Sequence, residues 1–355
     1  MSDIEGLYDA MRLTAWLDAN IPQLGDGPLA VEKVHGGTSN VILSLNRGGD
    51  ETMLLRRPPP VAPPGSERSA LREARVLTAL NGTLVPHPFC YGVCADDGVI
   101  GQPFYVMEWV KGWAAELRDE HIHHRAPFDG PPSEYGIAYA MVDGLIALAN
   151  VDYKAVGLDD FGKPDNFLER QVDRWERQLN SYGKLYGYAG RHIPGYELTR
   201  DWLRANVPDS FRAGIIHGDV GTPNALFTFD RPARLVALID WELSTIGDPL
   251  LDLAWFSNSL RDETAPDVVP AKSLYNAQNW PTRQEMMRYY AAGTGRDMKD
   301  FDYYALLAMY KGGCILEYKV AQSAAGMLSK ETGVFFSRLV LENFRAAASL
   351  INRIG

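Results

Sequence analysis

Residues 215–224 read Ile-Ile-His-Gly-Asp-Val-Gly-Thr-Pro-Asn, and residues 235–240 read Leu-Val-Ala-Leu-Ile-Asp. Each begins as a short apolar run and delivers a carboxylate where the run stops, Asp219 in the first and Asp240 in the second. Apolar runs this short, bounded by turn formers, predict strands. Ala225–Phe229 and Leu235–Asp240, joined by Asp230-Arg231-Pro232-Ala233, are therefore expected as a β-like pair. On either side the pattern is helical. Ile137, Met141, Leu145 and Leu148 recur at helical spacing behind Ser133, and residues 301–322 and 334–354 are likewise apolar-rich helices.

Toward the N-terminus the period changes. Ala30–Val34, Val41–Leu45 and Thr52–Leu55 are short β-like runs separated by His-Gly-Gly-Thr-Ser-Asn and Asn-Arg-Gly-Gly-Asp, which predicts an antiparallel meander. Pro58–Pro64 reads as a loop, because proline cannot donate to a central strand. Ser66 is placed to cap a helix running through Leu80, and β-like segments follow at Phe89–Val93 and Phe104–Val110. The fold class is α+β. A small β-rich part, residues 1–108 with an N-terminal helix, precedes a larger, mainly helical part, residues 109–355, and the two join near Met107–Gly112.

The bulk properties exclude several functions. A chain of 355 residues supports two lobes and a large core. A formal net charge of −10 opposes nucleic acid or an anionic membrane as the main partner. No apolar run approaches the roughly 18 residues a membrane helix needs, and the N-terminus, with Asp3 and Glu5, does not read as a secretory signal. The three cysteines, Cys90, Cys94 and Cys314, form no disulfide framework, so a reducing, cytoplasmic setting is expected.

Phosphoryl transfer requires a carboxylate to orient the acceptor hydroxyl, hard oxygen ligands for Mg²⁺, and cations on the phosphates. Asp219 and Asn224, five residues apart, match the Asp-x-x-x-x-Asn spacing of a kinase catalytic loop, and Asp240 follows sixteen residues after Asn224. His-Gly-Asp-Val-Gly-Thr-Pro-Asn, followed by Ile-Asp-Trp-Glu-Leu-Ser-Thr-Ile-Gly-Asp-Pro-Leu-Leu-Asp-Leu-Ala, resembles the aminoglycoside phosphotransferase and choline kinase superfamily, which has a protein-kinase-like two-lobe fold. Leu54-Leu55-Arg56-Arg57-Pro58-Pro59 and Phe104-Tyr105-Val106-Met107-Glu108 are most similar to the branch that includes kinase-like domains fused to acyl-CoA dehydrogenases. The resemblance covers residues 28 to 350 and implies a nucleotide-binding N-terminal lobe and a C-terminal lobe with the catalytic loop and substrate site.

By this resemblance Asp219 is the catalytic base or hydroxyl-orienting residue, and Asn224 and Asp240 are Mg²⁺ ligands. His217 braces the loop as a structural histidine, and Asp248 and Asp252 brace the segment after Asp240. Arg56 stands where a kinase lysine contacts phosphates, and Glu73 matches the helix glutamate that pairs with it. An independent argument leads to the same pair: Glu73 lies on a face with Ala70, Leu77 and Leu80, and Arg56 ends an apolar strand, so each buried charge needs a partner. In the loop Gly36–Asn40, Gly37, Thr38, Ser39 and Asn40 are expected over the phosphates. Glu108 to Val110 is the expected hinge, binding the adenine edge through backbone groups. The chain departs from protein kinases in lacking Gly-x-Gly-x-x-Gly, in carrying Arg56 for lysine, in Gly218 for arginine, and in having no Ala-Pro-Glu element, all of which oppose a protein substrate.

The expected reaction is transfer of the γ-phosphoryl of ATP, with Mg²⁺, to a hydroxyl of a small molecule. Clustered carboxylates, with Asp300, Asp302 and Glu317 available, would suit an aminoglycoside; the arginines of residues 56–75 and the apolar C-terminal helices would suit a hydroxyacyl-CoA. The alternative is a nucleotide-binding pseudokinase without turnover, against which Asp219, Asn224 and Asp240 all speak. His121, His123 and His124 with Asp119 and Glu120 read as a solvated polar loop in preference to a metal cluster.

Overall fold

A computed structural model of the chain describes residues 4, 6–34, 40–49, 51–60, 66–265, 267–268, 274 and 280–355. It divides into two compact units, Met1–Gly112 with Val236–Ser244, and Trp113–Leu235 with Thr245–Gly355.

The first unit is built on an antiparallel sheet of β1 (Ala30–Val34), β2 (Val41–Asn46), β3 (Thr52–Arg57), β4 (Cys90–Cys94) and β5 (Phe104–Glu108). The spatial order is β1-β2-β3-β5-β4, so the expected meander holds for the first three strands and β5 then inserts between β3 and β4. Leu43 and Leu45 of β2, Met53 and Leu55 of β3, and Phe104 and Val106 of β5 pack with Leu13 and Leu17 of α1 (Ala10–Asn20). Asp9 caps α1 by accepting from the Arg12 N–H at 3.0 Å. Cys90 and Cys94 are buried and unbonded to one another.

Side chains alternate across a strand, so consecutive residues at the end of β3 face opposite ways. Arg57 turns toward the α1 side, where the carbonyls of Pro58 (3.0 Å), Ile100 (3.1 Å) and Leu7 accept from its guanidinium. Arg56 turns toward α2 (Ser66–Leu80), whose buried face carries Ala70, Glu73, Ala74, Leu77 and Leu80.

The second unit is helical: α3 (Ser133–Ala149), α4 (Glu169–Tyr186), α5 (Tyr196–Ala205), α6 (Leu250–Ser257), α7 (Arg283–Thr294), α8 (Phe301–Ala324) and α9 (Lys330–Ile354). Its centre is α8, which buries Phe301, Tyr304, Leu307, Tyr310 and Cys314 on several faces and is therefore apolar almost all round. Against α9 it approaches closely at Gly313, where a Cβ would stand 2.2 Å from Phe344 Cε2. Thr282 and Glu285 form a reciprocal capping box at the start of α7. Gly214–Ile216 pairs antiparallel with Thr245–Gly247, and the 217–224 segment leaves from its end. Among the described residues no helix is long and apolar enough to cross a membrane.

Candidate active site

In the first unit Arg56 is the hub. Its Nη1 lies 2.9 Å from Glu73 Oε1 and its Nη2 lies 2.9 Å from Asp240 Oδ1. With the Asn40 amide turned oxygen-inward, the orientation that satisfies both groups, Asn40 accepts from Arg56 Nη2 at 2.9 Å and Nε at 3.1 Å. Glu73 Oε1 also accepts from the Trp241 N–H at 3.1 Å, tying α2 to the turn after Asp240. Asp240 itself sits in the left-handed region at φ 67°, a conformation that aspartate tolerates better than most residues. Burial lifts the Glu73 carboxyl to about 7; Arg56 opposes the rise and Asp240 adds to it. The guanidinium is also buried, yet Tyr105, Glu73 and Asp240 outweigh that cost and hold it above its ordinary value. The two directions pull against each other. A single guanidinium shared by two carboxylates stays charged, and burial then wins at the more enclosed acid, Glu73.

Glu108 ends β5 opposite Met53, donates its N–H to the Phe89 carbonyl at 2.8 Å, and accepts from the Phe89 N–H at 3.2 Å through its carboxylate. Val110 follows outside any regular element. Gly37, Thr38 and Ser39 lie outside the described residues.

In the second unit the 217–224 segment is held by buried partners on several sides. Asp252 of α6 accepts from the His217 N–H at 2.6 Å and the Gly218 N–H at 2.9 Å. The Gly218 carbonyl accepts from Lys311 Nζ of α8. Gly218 has φ +88°, so glycine is what allows its peptide groups to face both partners. His217 Nδ1 accepts from the Asp219 N–H at 3.3 Å. Asn224 Nδ2 donates to the Asp219 carbonyl at 2.9 Å and to its Oδ2 at 3.0 Å, joining the two ends of the Asp-x-x-x-x-Asn spacing. Burial raises the Asp252 carboxyl, opposed by His217, the two peptide N–H groups and Lys311. Burial also brings the Lys311 ammonium down to about 8, opposed by Asp219 and Asp252. That ammonium lies 4.2 Å from the Trp255 ring centroid and 5.7 Å from that of Trp175, which provides a cation–π environment for it.

Each unit, taken by itself, offers an oxygen donor of a kind that suits Mg²⁺. Asn224 spends its amide nitrogen on Asp219, which leaves its amide oxygen as a neutral hard donor. Asp240 spends Oδ1 on Arg56, and its side chain is 37% exposed, which leaves Oδ2 as an anionic one. Oxygen donors of this kind are what hard divalent cations prefer.

Beside Asp219 and Asn224 the second unit contains a cavity of about 390 Å³, walled by Trp255, Leu274, Leu316, Phe336 and Leu339. Among the described residues that line it, Asp219 is the only charged one. Asp300, Asp302 and Glu317, the carboxylates available for a cationic acceptor, are not among its lining residues. Asp300 accepts from the Ser210 hydroxyl at 2.5 Å, and Glu317 is paired with Arg191 at 2.8 Å. Glu317 instead lines a polar cavity of about 460 Å³ with Glu176, Arg191, Tyr196 and Arg200, where the charges pair with one another and neither Asp219 nor Asn224 is present.

The model of the phosphotransferase enzyme family matches residues 30–286. The chain belongs to that family. It is 30% identical to a protein of Ralstonia eutropha provisionally assigned as an aminoglycoside phosphotransferase, whose crystal structure aligns over 96% of this chain and 99% of that one with a TM-score of 0.78. Choline kinase from Cryptosporidium parvum aligns over 97% of both chains with a TM-score of 0.62 at 12% identity, a likeness of fold. The fold is thus the α+β, protein-kinase-like one that the motif implied. Among curated proteins the chain is 31% identical to acyl-CoA dehydrogenase family member 11 of Gallus gallus over 90% of its own length and 40% of that protein's. It is 29% identical to the Homo sapiens protein of that name over 94% of its own length and 42% of that protein's. The chain thus spans about two fifths of the curated relatives it matches.

Several residues of the site escaped sequence reasoning. Asp252 was expected to brace the segment after Asp240 and instead holds the peptides of His217 and Gly218. Lys311 is a buried cation in an apolar helix, a signal visible in the sequence, but nothing local ties it to the 217–224 segment. The histidine cluster is not a loop: Glu116–Arg118 and His121–His123 form an antiparallel strand pair. His124 leaves it for the core, between Glu134 Oε1 at 3.3 Å and Thr222 Oγ1 at 3.2 Å.

Proposed function

We propose that this phosphotransferase moves the γ-phosphoryl of ATP to a hydroxyl of a small molecule with an apolar body, a hydroxyacyl-CoA being favoured over an aminoglycoside. The cavity beside Asp219 carries this reading, because its described walls are mainly apolar and hold no carboxylate other than Asp219 for a cationic sugar. Asp219 orients the acceptor hydroxyl and takes its proton as the new O–P bond forms. The bond from the γ-phosphorus to the β,γ-bridging oxygen breaks, and ADP leaves with that electron pair. Asn224 and Asp240 hold Mg²⁺, which neutralises phosphate charge. Arg56 contacts the phosphates, Glu73 fixes its guanidinium, and Gly37, Thr38, Ser39 and Asn40 cover the phosphates. The backbone at Glu108 and Val110 takes the adenine edge. In this scheme the first unit binds nucleotide and the second supplies the base and the acceptor site. Three buried, unbonded cysteines suit a reducing cytoplasm.

The test is Mg²⁺-dependent ATP consumption by wild type and Asp219→Asn across hydroxyacyl-CoA esters of several chain lengths, choline and kanamycin. Turnover with the esters that Asp219→Asn lowers by at least about 100-fold supports the reading. Equal background rates for both proteins on every acceptor, with ATP still bound, would establish the non-catalytic binding module instead.

A further inference from the structure

Helix α4 segregates its charges. Two of its acids are taken up by α5: Asp173 pairs with Arg204 at 2.6 Å, and Glu176 pairs with Arg204 at 2.7 Å and with Arg200 at 3.4 Å. Its cations Arg170, Arg174 and Arg177 recur at helical spacing and share another face. With Lys163, Gln171 and Thr245 they line a pocket of about 160 Å³ in the second unit. Four cations line this pocket and, among the described residues, no carboxylate does. Like charges at these spacings repel one another, and the chain as a whole carries −10, so the cluster is not an extension of a generally basic surface.

The four cations are committed to different degrees. Arg170 donates to the Asp165 and Lys163 carbonyls at 2.6 and 2.5 Å, which fixes the chain leading into the helix. Arg177 Nε donates to the Asp173 carbonyl of its own helix at 3.1 Å, leaving its two Nη groups. Among the described residues, the side chains of Lys163 and Arg174 make no hydrogen bond or ion pair; Arg174 Cζ rests 4.7 Å from the Trp175 ring centroid. Arg174 is exposed at the pocket, yet packing around its guanidinium lowers it from the ordinary arginine value, and no carboxylate opposes the fall. Lys311 lies 5.7 Å from the same ring and is repelled by Arg174, so an anion on Arg174 eases that repulsion beside the 217–224 segment.

We propose that this pocket is a phosphate-binding site, distinct from the residues assigned to the nucleotide, in which Lys163, Arg174 and Arg177 hold the phosphate group of a small molecule. Guanidinium forks match the oxygens of a phosphate, and a phosphate group near neutral pH carries about −1.5 to −2, enough to compensate several cations at once. The group belongs either to the acceptor, since a CoA ester carries phosphates of its own, or to free phosphate. Only the first source rests on the phosphotransfer reading; the site itself does not.

The probes are 4′-phosphopantetheine, pantetheine and inorganic phosphate, none of which carries an adenine. Their affinities for wild type and for Arg174→Gln/Arg177→Gln are measured by calorimetry. Wild type is expected to bind 4′-phosphopantetheine at least about tenfold more tightly than pantetheine, and the double variant to lose that preference. Mg·ADP affinity should stay within about twofold, which shows that the variant is folded; Lys163→Gln serves if it is not. Phosphopantetheine binding well above that of inorganic phosphate marks the acceptor as the source, and equal binding marks free phosphate; either supports the site. No binding of either phosphate-bearing probe, equal binding of phosphopantetheine and pantetheine by wild type, or a preference that survives in the variants would each overturn the proposal. The readout needs no turnover. A phosphate site found in a protein without Asp219-dependent transfer would sink the catalytic reading alone, and transfer without the site would sink this proposal alone.

Discussion

Replacing Arg56 by alanine tests the charged hub of the first unit. The substitution removes the cation 2.9 Å from Glu73, whose side chain is only 2% exposed, and leaves a carboxylate enclosed without its counter-charge. Breaking a buried pair from one side costs about 3–5 kcal/mol, most of it from stranding the remaining charge. The Asp240 arm adds little, about 1 kcal/mol or less, because that carboxylate is 37% exposed and water screens it. The penalty should depend on pH in a defined direction. Burial, opposed by Arg56, already sets the Glu73 carboxyl near 7, above the ordinary glutamate value. Between those two values the folded state binds more protons than the unfolded one, so stability falls as pH rises through the window and the loss is complete above the folded value. Without Arg56 the carboxyl rises further, and at pH 6 it is protonated in the folded protein and no charge is stranded. The penalty at pH 6 should therefore be smaller than at pH 8 by roughly 1–2 kcal/mol. Urea unfolding at both values, with Glu73→Gln and the Arg56→Ala/Glu73→Gln double variant, closes the cycle. The double variant should recover about 1–3 kcal/mol relative to additivity. A penalty below about 1 kcal/mol at pH 8, or one that does not change between pH 6 and 8, would refute the account of Glu73 as a buried acid that depends on Arg56.

Lys311→Met removes the ammonium that Gly218 accepts from, a charge-assisted bond of about 1.5–3 kcal/mol, so kcat should fall roughly tenfold to a hundredfold while KM for ATP stays within about threefold. Burial places the ammonium near 8, with Asp219, Asp252 and Arg174 facing it, so wild-type kcat should decline as pH rises through that value and the methionine variant should lack that limb in steady-state assays. Gly313→Ala puts a Cβ 2.2 Å from Phe344 Cε2 and should lower stability by about 1–3 kcal/mol, read as a drop in Tm. Gly312→Ala, whose nearest neighbours stand at 3.4–3.7 Å, should be neutral or slightly stabilising by the same measurement.

The parts of the site that the sequence made legible share one property: each functional group sits next to, or at a fixed short spacing from, the pattern that marks it. Asp219 and Asn224 are five residues apart and bond directly, so their spacing already encodes the contact. Arg56 and Glu73 lie on different elements, yet each stands in an apolar context that a charge enters only with a partner, and two such residues in one small unit find each other. The strand bounds were legible for the same local reason, since β1 and β2 follow turn formers that fix where alternation begins.

What was not legible depends on contacts that no local pattern records. Asp252 reaches His217 across 35 residues and Lys311 reaches Gly218 across 93, and a carboxylate in an apolar helix looks the same whether it caps its own element or holds another. The cavity beside Asp219 is the extreme case. An apolar residue that packs against a neighbouring helix and one that lines an empty volume carry identical sequence signals, because both leave water by the same thermodynamic route. Leu307 and Leu316 of α8 illustrate the point: the first is buried in the core and only the second lines the cavity. The difference between them is a matter of what α6 and α9 leave unfilled. In the assembled unit the informative groups are therefore the polar ones that packing leaves without a partner, and Arg174 can be recognised as one only once Asp173 and Glu176 are known to be spent on Arg204.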